Sequence, residues 1–311
     1  MKSKSFLTIE DVTKSEILNI FSKALEYKKL VTQGKSSTDL ENKIMASLFF
    51  QPSTRTRAGF ESAILRMGGK YISFSDICTT RSGDYYSESM YDMLQVLAKY
   101  TDIIVIRHND NSVLNDIREI DNLRVINAGI GDYEHPVQAL NFLFCLYLEN
   151  RLDENASIGL IGDLGIRSLK AIVKAMNIFG IKKFYYLPPP NREIPKDISE
   201  FLNTYKMTYQ VVNNTNEMVA SVSNVLTIGI NHPDHTIAIS EPNGWIPTPK
   251  AYQITLETLK YARKGLSIYH PLPRTDEIVK SIDKTKYAKY FTACENCLYL
   301  NMALLYHVGL S

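Results

Sequence analysis

The sequence predicts an α/β protein with two doubly wound parallel-sheet domains joined by a long helix, and a C-terminal helix returning to the first domain. Three observations carry this reading. Nine short runs rich in β-branched or aromatic residues recur along the 311 residues. Segments with helical spacing lie between them, and strand–helix alternation makes parallel sheets covered on both faces. Nine strands are many for one sheet, and HPVQALNFLFCLYLENRL (135–152) reads as a helix linking two sheets of four or five.

Taken in order, MKSKSFLTIEDVTKSEIL reads as a first helix with Thr8 or Asp11 available as its cap. IMASLFF (44–50) is the first strand run. FFQPSTRTRAGF (49–60) follows it and starts a helix in which Phe60, Ala63, Ile64 and Met67 recur at spacings of three and four, with Gly68-Gly69 as the stop. YISF (71–74), DIIVIR (102–107) and RVINAG (124–129) complete the first group. The second group is SIGLIGD (157–163), KFYYLP (183–188), TYQVV (208–212), NVLTIGI (224–230) and LSIYH (266–270). Trp245 in SEPNGWIPTPKAY (240–252) marks an irregular loop, and CLYLNMALLYHVGL (297–310) is apolar and helical. The expected first domain is 1–134 with the C-terminal helix of about 292–311, and the second is 135–291.

Composition narrows the function. Hydrophobic residues make up 45% and charged residues 22%, a globular profile. The net charge of +2 leaves attraction to anions a local matter, and no basic stripe suggests a nucleic-acid partner. No run of about 18 apolar residues is present, and the N-terminus lacks the apolar centre of a secretory signal, so a cytoplasmic protein without membrane spans is expected. Cys294 and Cys297 form a C-x-x-C, but Cys78 and Cys145 lie far off in sequence. The pair reads as two small helix residues ahead of a metal or redox site.

The chemistry gathers at loops after strands. Ser53, Thr54, Arg55 and Thr56 open a helix directly after a strand, where unpaired N–H groups and the helix dipole suit a phosphate. Arg55 adds a fork for phosphate oxygens. The same S-T-R-T also reads as a helix cap with surface arginines. Arg107 ends a strand, where open α/β sheets collect ligands, or is a surface charge. His135 and Gln138 stand one turn apart at the start of the linking helix, as ligands or as a cap. Pro271-Leu272-Pro273 is a rigid loop whose carbonyls cannot all pair internally, or a stiff turn.

In this order the motifs resemble the aspartate and ornithine carbamoyltransferase family over nearly the whole chain. They are P-S-T-R-T-R (52–57) with Phe60 and Glu61, V-I-R-H (105–108), H-P-V-Q-A-L (135–140), G-D-L (162–164) with Arg167, and H-P-L-P-R-T-D-E-I (270–278). The last form resembles the aspartate branch. The resemblance implies that Ser53, Thr54, Arg55 and Thr56 hold the phosphate of carbamoyl phosphate. Thr56, Arg107 and His135 then point donors at its carbonyl oxygen, where charge grows as an amine attacks. Gln138 and the backbone carbonyls of Pro271 and Leu272 hold the carbamoyl nitrogen, and Arg167 pairs with a carboxylate of the acceptor. No cofactor, metal or covalent intermediate is implied. A homotrimer with active sites shared between neighbours is implied, and residues 84–97 suit a subunit contact as well as a helix packed on its own domain.

Three positions depart from the family. Gln51 stands where an acid is usual. TTRSGDYYSESM (79–90) lacks the loop lysine that reaches the phosphate from a neighbouring subunit, its place falling at Tyr86 or Ser82, with Arg81 or Ser82 as partial substitutes. LTIGINHPDHTIAIS (226–240) has no arginine to grip the side-chain carboxylate of aspartate; Gly229 stands near the expected place, with His232 and His235 as nearby cations. An unmatched carboxylate costs several kcal/mol of binding. Three readings follow: a carbamoyltransferase for an amine other than aspartate, a weak or inactive paralogue with a binding or regulatory role, and a working aspartate carbamoyltransferase of pyrimidine biosynthesis.

Overall fold

A computed structural model describes residues 5–83, 87–230 and 247–310. The chain forms two compact units: Met1–Cys145 with Cys294–Ser311, and Leu146–Ala293.

In the first unit, helix α1 (Lys14–Thr32) precedes strand β1 (Ile44–Phe49), α2 (Arg55–Arg66) and β2 (Lys70–Phe74). Then come α3 (Met90–Tyr100), β3 (Ile103–His108), α4 (Val113–Glu119), β4 (Val125–Ile130) and α5 (Pro136–Leu148). The cap of α1 differs from expectation. Thr13 accepts the Glu16 N–H at 3.3 Å while the Glu16 carboxylate accepts the Thr13 N–H at 2.8 Å, a reciprocal capping box. Thr8 and Asp11 belong to a short turn ahead of it, where Asp11 accepts the N–H groups of Leu7 and Thr8. Helix α2 stops as the glycines predict: Gly68 takes φ 80°, a left-handed conformation that glycine adopts without a Cβ penalty.

The four strands are parallel in the order β2-β1-β3-β4. Strands β3 and β4 are buried along almost their whole length, as sheets covered on both faces require. Leu48, Leu94, Ile104, Ile106, Leu114 and Val125 form the core. The chain steps from β1 outward to β2 and then back to β3 on the other side. That reversal places the carboxyl ends of β1 and β3 at a switch point, where open sheets leave a crevice.

The second unit carries β5 (Ile158–Ile161), α6 (Arg167–Ile178), β6 (Lys183–Leu187), α7 (Lys196–Thr204) and β7 (Thr208–Val211). It continues with α8 (Thr215–Ser221), β8 (Asn224–Thr227) and β9 (Ser267–Tyr269). All five strands are parallel, in the order β7-β6-β5-β8-β9, with the switch point between β5 and β8. Ile161, Val219, Val225, Ile268 and Ile282 lie in its core. At the switch point Gly162 takes φ 129°, and a Cβ there would stand 3.0 Å from the Ile228 carbonyl oxygen. Only glycine lets the two strand ends approach this closely.

Helix α9 (Tyr290–Gly309) closes the chain, and from Cys294 onward it belongs to the first unit. There Lys28 donates to Asn296 at 3.1 Å and Arg124 donates to the Gly309 carbonyl at 2.8 Å. Among the described residues, no helix is long and apolar enough to cross a membrane.

Candidate active site

Ser53, Thr54, Arg55 and Thr56 follow β1, Arg107 lies near the carboxyl end of β3, and His135 and Gln138 follow β4, all in one parallel sheet. Thr54 sits at the N-cap position of α2 but has helical dihedrals (φ −78°, ψ −54°) and makes no side-chain capping bond. Thr54 therefore does not cap α2 through its side chain, while Arg55 is exposed, as the surface-arginine alternative expects. The first-turn N–H groups of α2 are not satisfied by the cap residue, which suits an anion.

The two arginines of the motif divide in role. Arg57 Nε donates to Glu61 at 2.9 Å, and the same carboxylate oxygen accepts the hydroxyls of Ser47 and Ser73 at 2.8 Å each. Glu61 thus ties α2 to β1 and β2, which aims the helix. Burial raises the Glu61 carboxyl, but these donors outweigh it and hold the group below its ordinary range. Arg55 stands one position into the helix. Burial pushes its guanidinium down, against a smaller pull from the Cys294 thiol.

Arg107, opposite Phe49 in the β1–β3 register, donates from Nη1 to the Ala128 carbonyl at 3.3 Å. Its Nε is buried with no hydrogen-bond partner among the described residues, and such a donor costs about 1–3 kcal/mol. Burial pushes Arg107 down to about 10, and the like charge of Arg55 acts in the same direction. Both guanidiniums stay protonated at neutral pH, so a buried cation, Arg107, and an exposed one, Arg55, repel each other at this sheet end. A dianion there relieves both penalties.

His135 is buried directly before α5. Pro136 takes the first helical position, where a missing N–H costs nothing. The His135 carbonyl accepts the Gln138 N–H at 3.0 Å, placing the two residues one turn apart. Glu134 anchors the approach by accepting the Ile9 N–H at 3.0 Å. Gln51 is buried just after β1. Arg81 is exposed on a short 3-10 turn (Arg81–Gly83), and the Ser82 hydroxyl turns toward Met93 Sδ at 3.7 Å. Tyr86, His232, His235 and Trp245 lie outside the described residues.

The second unit offers its own set at the carboxyl ends of β5 and β9. Arg167 is 3% exposed and occupies the first position of α6. The loop before it is shaped by Asp163, which accepts the Gly165 N–H at 2.7 Å. Gly229, two residues past β8, is buried and places no side chain there. After β9, Pro271 and Leu272 follow His270, and Leu272 takes φ 55°. The left-handed region costs a leucine about 1–2 kcal/mol. Its N–H donates to His270 Nδ1 at 2.8 Å, which helps hold it there.

Sequence reading missed what stands behind this turn. Glu277 is buried, with Oε1 2.8 Å from His270 Nε2, while Oε2 accepts the N–H and hydroxyl of Thr275 at 3.0 and 2.6 Å. Burial raises the Glu277 carboxyl, yet the imidazole of His270 beside it and the Thr275 bonds prevail and bring it to about 2. The only sequence signal was an acid in the D-E-I tail of the motif, with nothing to say that it turns inward. Cys294 and Cys297 lie one turn apart on α9, and burial pushes both thiols up, as for unreactive structural cysteines.

Comparison with known proteins gives one family. The profile described as aspartate/ornithine carbamoyltransferase, carbamoyl-P binding domain, matches residues 4–147, and that of the Asp/Orn binding domain matches 154–308. The aspartate carbamoyltransferase catalytic subunit of Korarchaeum cryptofilum is 32% identical over 309 residues, covering 99% of each chain. That of Methanococcus aeolicus is 33% identical over 306 residues, covering 96% of this chain and 95% of the relative. Among solved structures, aspartate transcarbamoylase from Trypanosoma cruzi in complex with aspartate and phosphate superposes with a TM-score of 0.86 at 25% identity, covering 98% and 95% of the two chains. The catalytic subunit of M. jannaschii aspartate transcarbamoylase gives 0.85 at 31% identity, covering 98% and 97%.

Proposed function

The chain belongs to the aspartate/ornithine carbamoyltransferase family, and on that premise we propose that it moves the carbamoyl group of carbamoyl phosphate to the amine of an amino-acid acceptor, releasing phosphate. One observation carries the donor half: the buried Arg107 feels the like charge of the exposed Arg55 beside an α2 N-terminus that Thr54 does not cap. Ser53, Thr54, Arg55 and Thr56 hold the phosphate. Thr56, Arg107 and His135 donate to the carbonyl oxygen as it gains negative charge, the electrostatic effect that lowers the barrier to a tetrahedral intermediate. Gln138 and the carbonyls of Pro271 and Leu272 accept from the carbamoyl nitrogen. The departing phosphate takes up the amine proton, and much of the rate comes from alignment of two bound substrates.

Arg167 pairs with the acceptor's α-carboxylate. The acceptor is an amine other than aspartate, because Gly229 supplies no cation where the family places one and Gln51 is neutral. The full-length similarity to aspartate carbamoyltransferases favours a second reading, with aspartate itself as acceptor. The working form is a homotrimer in which Arg81 or Ser82 of one copy approaches a neighbour's carbamoyl phosphate. Release of phosphate and of a carbamoylated product, measured with a panel of amino acids, tests these statements. Turnover of aspartate at an ordinary rate overturns the first acceptor reading; no turnover with any amine overturns the enzyme. Sedimentation at micromolar protein tests the trimer, and a monomer refutes it.

A further inference from the structure

The roles above use the carbonyls of Pro271 and Leu272 but leave two buried ionisable side chains behind them unexplained. His270 and Glu277 are 4% and 2% exposed. His270 Nδ1 accepts the Leu272 N–H. A ring nitrogen that accepts carries no proton, so the proton of the neutral imidazole is on Nε2, facing Glu277 at 2.8 Å. The other Glu277 oxygen is held by Thr275. The Leu272 N–H therefore sets the tautomer, and the carboxylate 2.8 Å from Nε2 favours the proton there electrostatically without an aligned hydrogen bond.

The consequence runs through the peptide plane. The Leu272 N–H and the Pro271 C=O belong to one planar trans peptide unit, so they point in opposite directions. Fixing the N–H on Nδ1 fixes where the Pro271 oxygen points. It also pins Leu272 in its left-handed conformation, from which its own carbonyl is presented. We propose that His270, through its hydrogen bond from the Leu272 N–H, is a positioning residue that aims the Pro271 carbonyl at the carbamoyl nitrogen. This inference rests on the carbamoyl-phosphate reading given above.

Two ligands separate the positioning role from a merely structural one. Phosphonoacetamide keeps the carboxamide nitrogen and replaces the bridging oxygen of carbamoyl phosphate by CH2, whereas inorganic phosphate has no such nitrogen. Calorimetric titration of the full chain is made with wild type, His270→Asn and His270→Gln. An asparagine oxygen falls near Nδ1 and keeps the acceptor for Leu272. A glutamine amide falls near Nε2, keeps Glu277 partnered and leaves Leu272 without its acceptor. His270→Gln is expected to weaken phosphonoacetamide on the order of tenfold, the worth of one hydrogen bond, with phosphate affinity within about twofold of wild type. His270→Asn is expected to recover most of that loss.

Equal weakening of both ligands in His270→Gln, or no weakening of either, overturns the inference while leaving the carbamoyl-phosphate site standing. Wild type that binds neither ligand overturns the site and this inference with it. Should both variants fail to fold, long-range 1H–15N spectra of wild type decide: His270 must show an unprotonated Nδ1 and a protonated Nε2 at neutral pH. The opposite tautomer refutes the proposal.

Discussion

Replacing Glu277 by glutamine tests how much the buried dyad contributes to the second unit. The carboxyl stands at about 2, against an ordinary 4.5. A depressed carboxyl contributes stability above its unfolded value, and that contribution is lost as pH falls through the folded value. The window here is therefore from about 4.5 down to about 2. Glu277 is only 2% exposed, so solvent screens it little, and the depression corresponds to about 3 kcal/mol at pH 7 and about 2 kcal/mol at pH 3.5. Glutamine removes this contribution. Its amide oxygen still lies beside His270, but its NH2 then faces the Thr275 N–H, two donors together. Circular dichroism in urea follows unfolding, and the two proteins differ only at a residue of the second unit. Wild type should exceed Glu277→Gln by about 3 kcal/mol at pH 7, with the gap narrowing to about 2 kcal/mol at pH 3.5. A gap that is the same at both pH values, or below about 1 kcal/mol at pH 7, refutes the reasoning.

Other substitutions separate the parts of the site. Arg55→Ala should lower affinity for both phosphate and phosphonoacetamide by on the order of 100-fold or more, because two charge-assisted bonds are lost; unchanged titrations remove the site assignment. Arg57→Ala, by contrast, should leave phosphate affinity within about threefold and destabilise the first unit by about 1 kcal/mol, since it acts on Glu61. Circular dichroism in urea reads the second effect and calorimetry the first. Gly162→Ala should cost the second unit about 1–3 kcal/mol, through its φ of 129° and the Ile228 carbonyl 3.0 Å from the new Cβ; an unshifted urea midpoint by circular dichroism counts against that close approach.

All nine apolar runs appear as strands, and each covers the residues at the centre of its run. This was legible because a strand buried on both faces needs only a short stretch of β-branched and aromatic residues, which is a local property. Caps were less legible. Thr8, Asp11 and Thr13 are all chemically able to cap α1, and only the path of the chain selects Thr13. The same holds for Thr54, a good cap by residue type that makes no capping bond here.

The sequence by itself determined the alternation of strand and helix, and with it two parallel sheets whose ligand-facing loops follow the strands. It also determined which residue types those loops carry, through motifs whose spacing is local. Tertiary structure decided the rest. Arg55, Arg107 and His135 come to one sheet end only because β1, β3 and β4 are neighbours in the order β2-β1-β3-β4. Arg57 is committed to Glu61 because Ser47 and Ser73, on adjacent strands, meet at the same carboxylate. His270 and Glu277 pair because the turn after β9 folds back into the second unit's core. Partner choice across such distances depends on strand order and register, which a one-dimensional pattern of residue types does not encode.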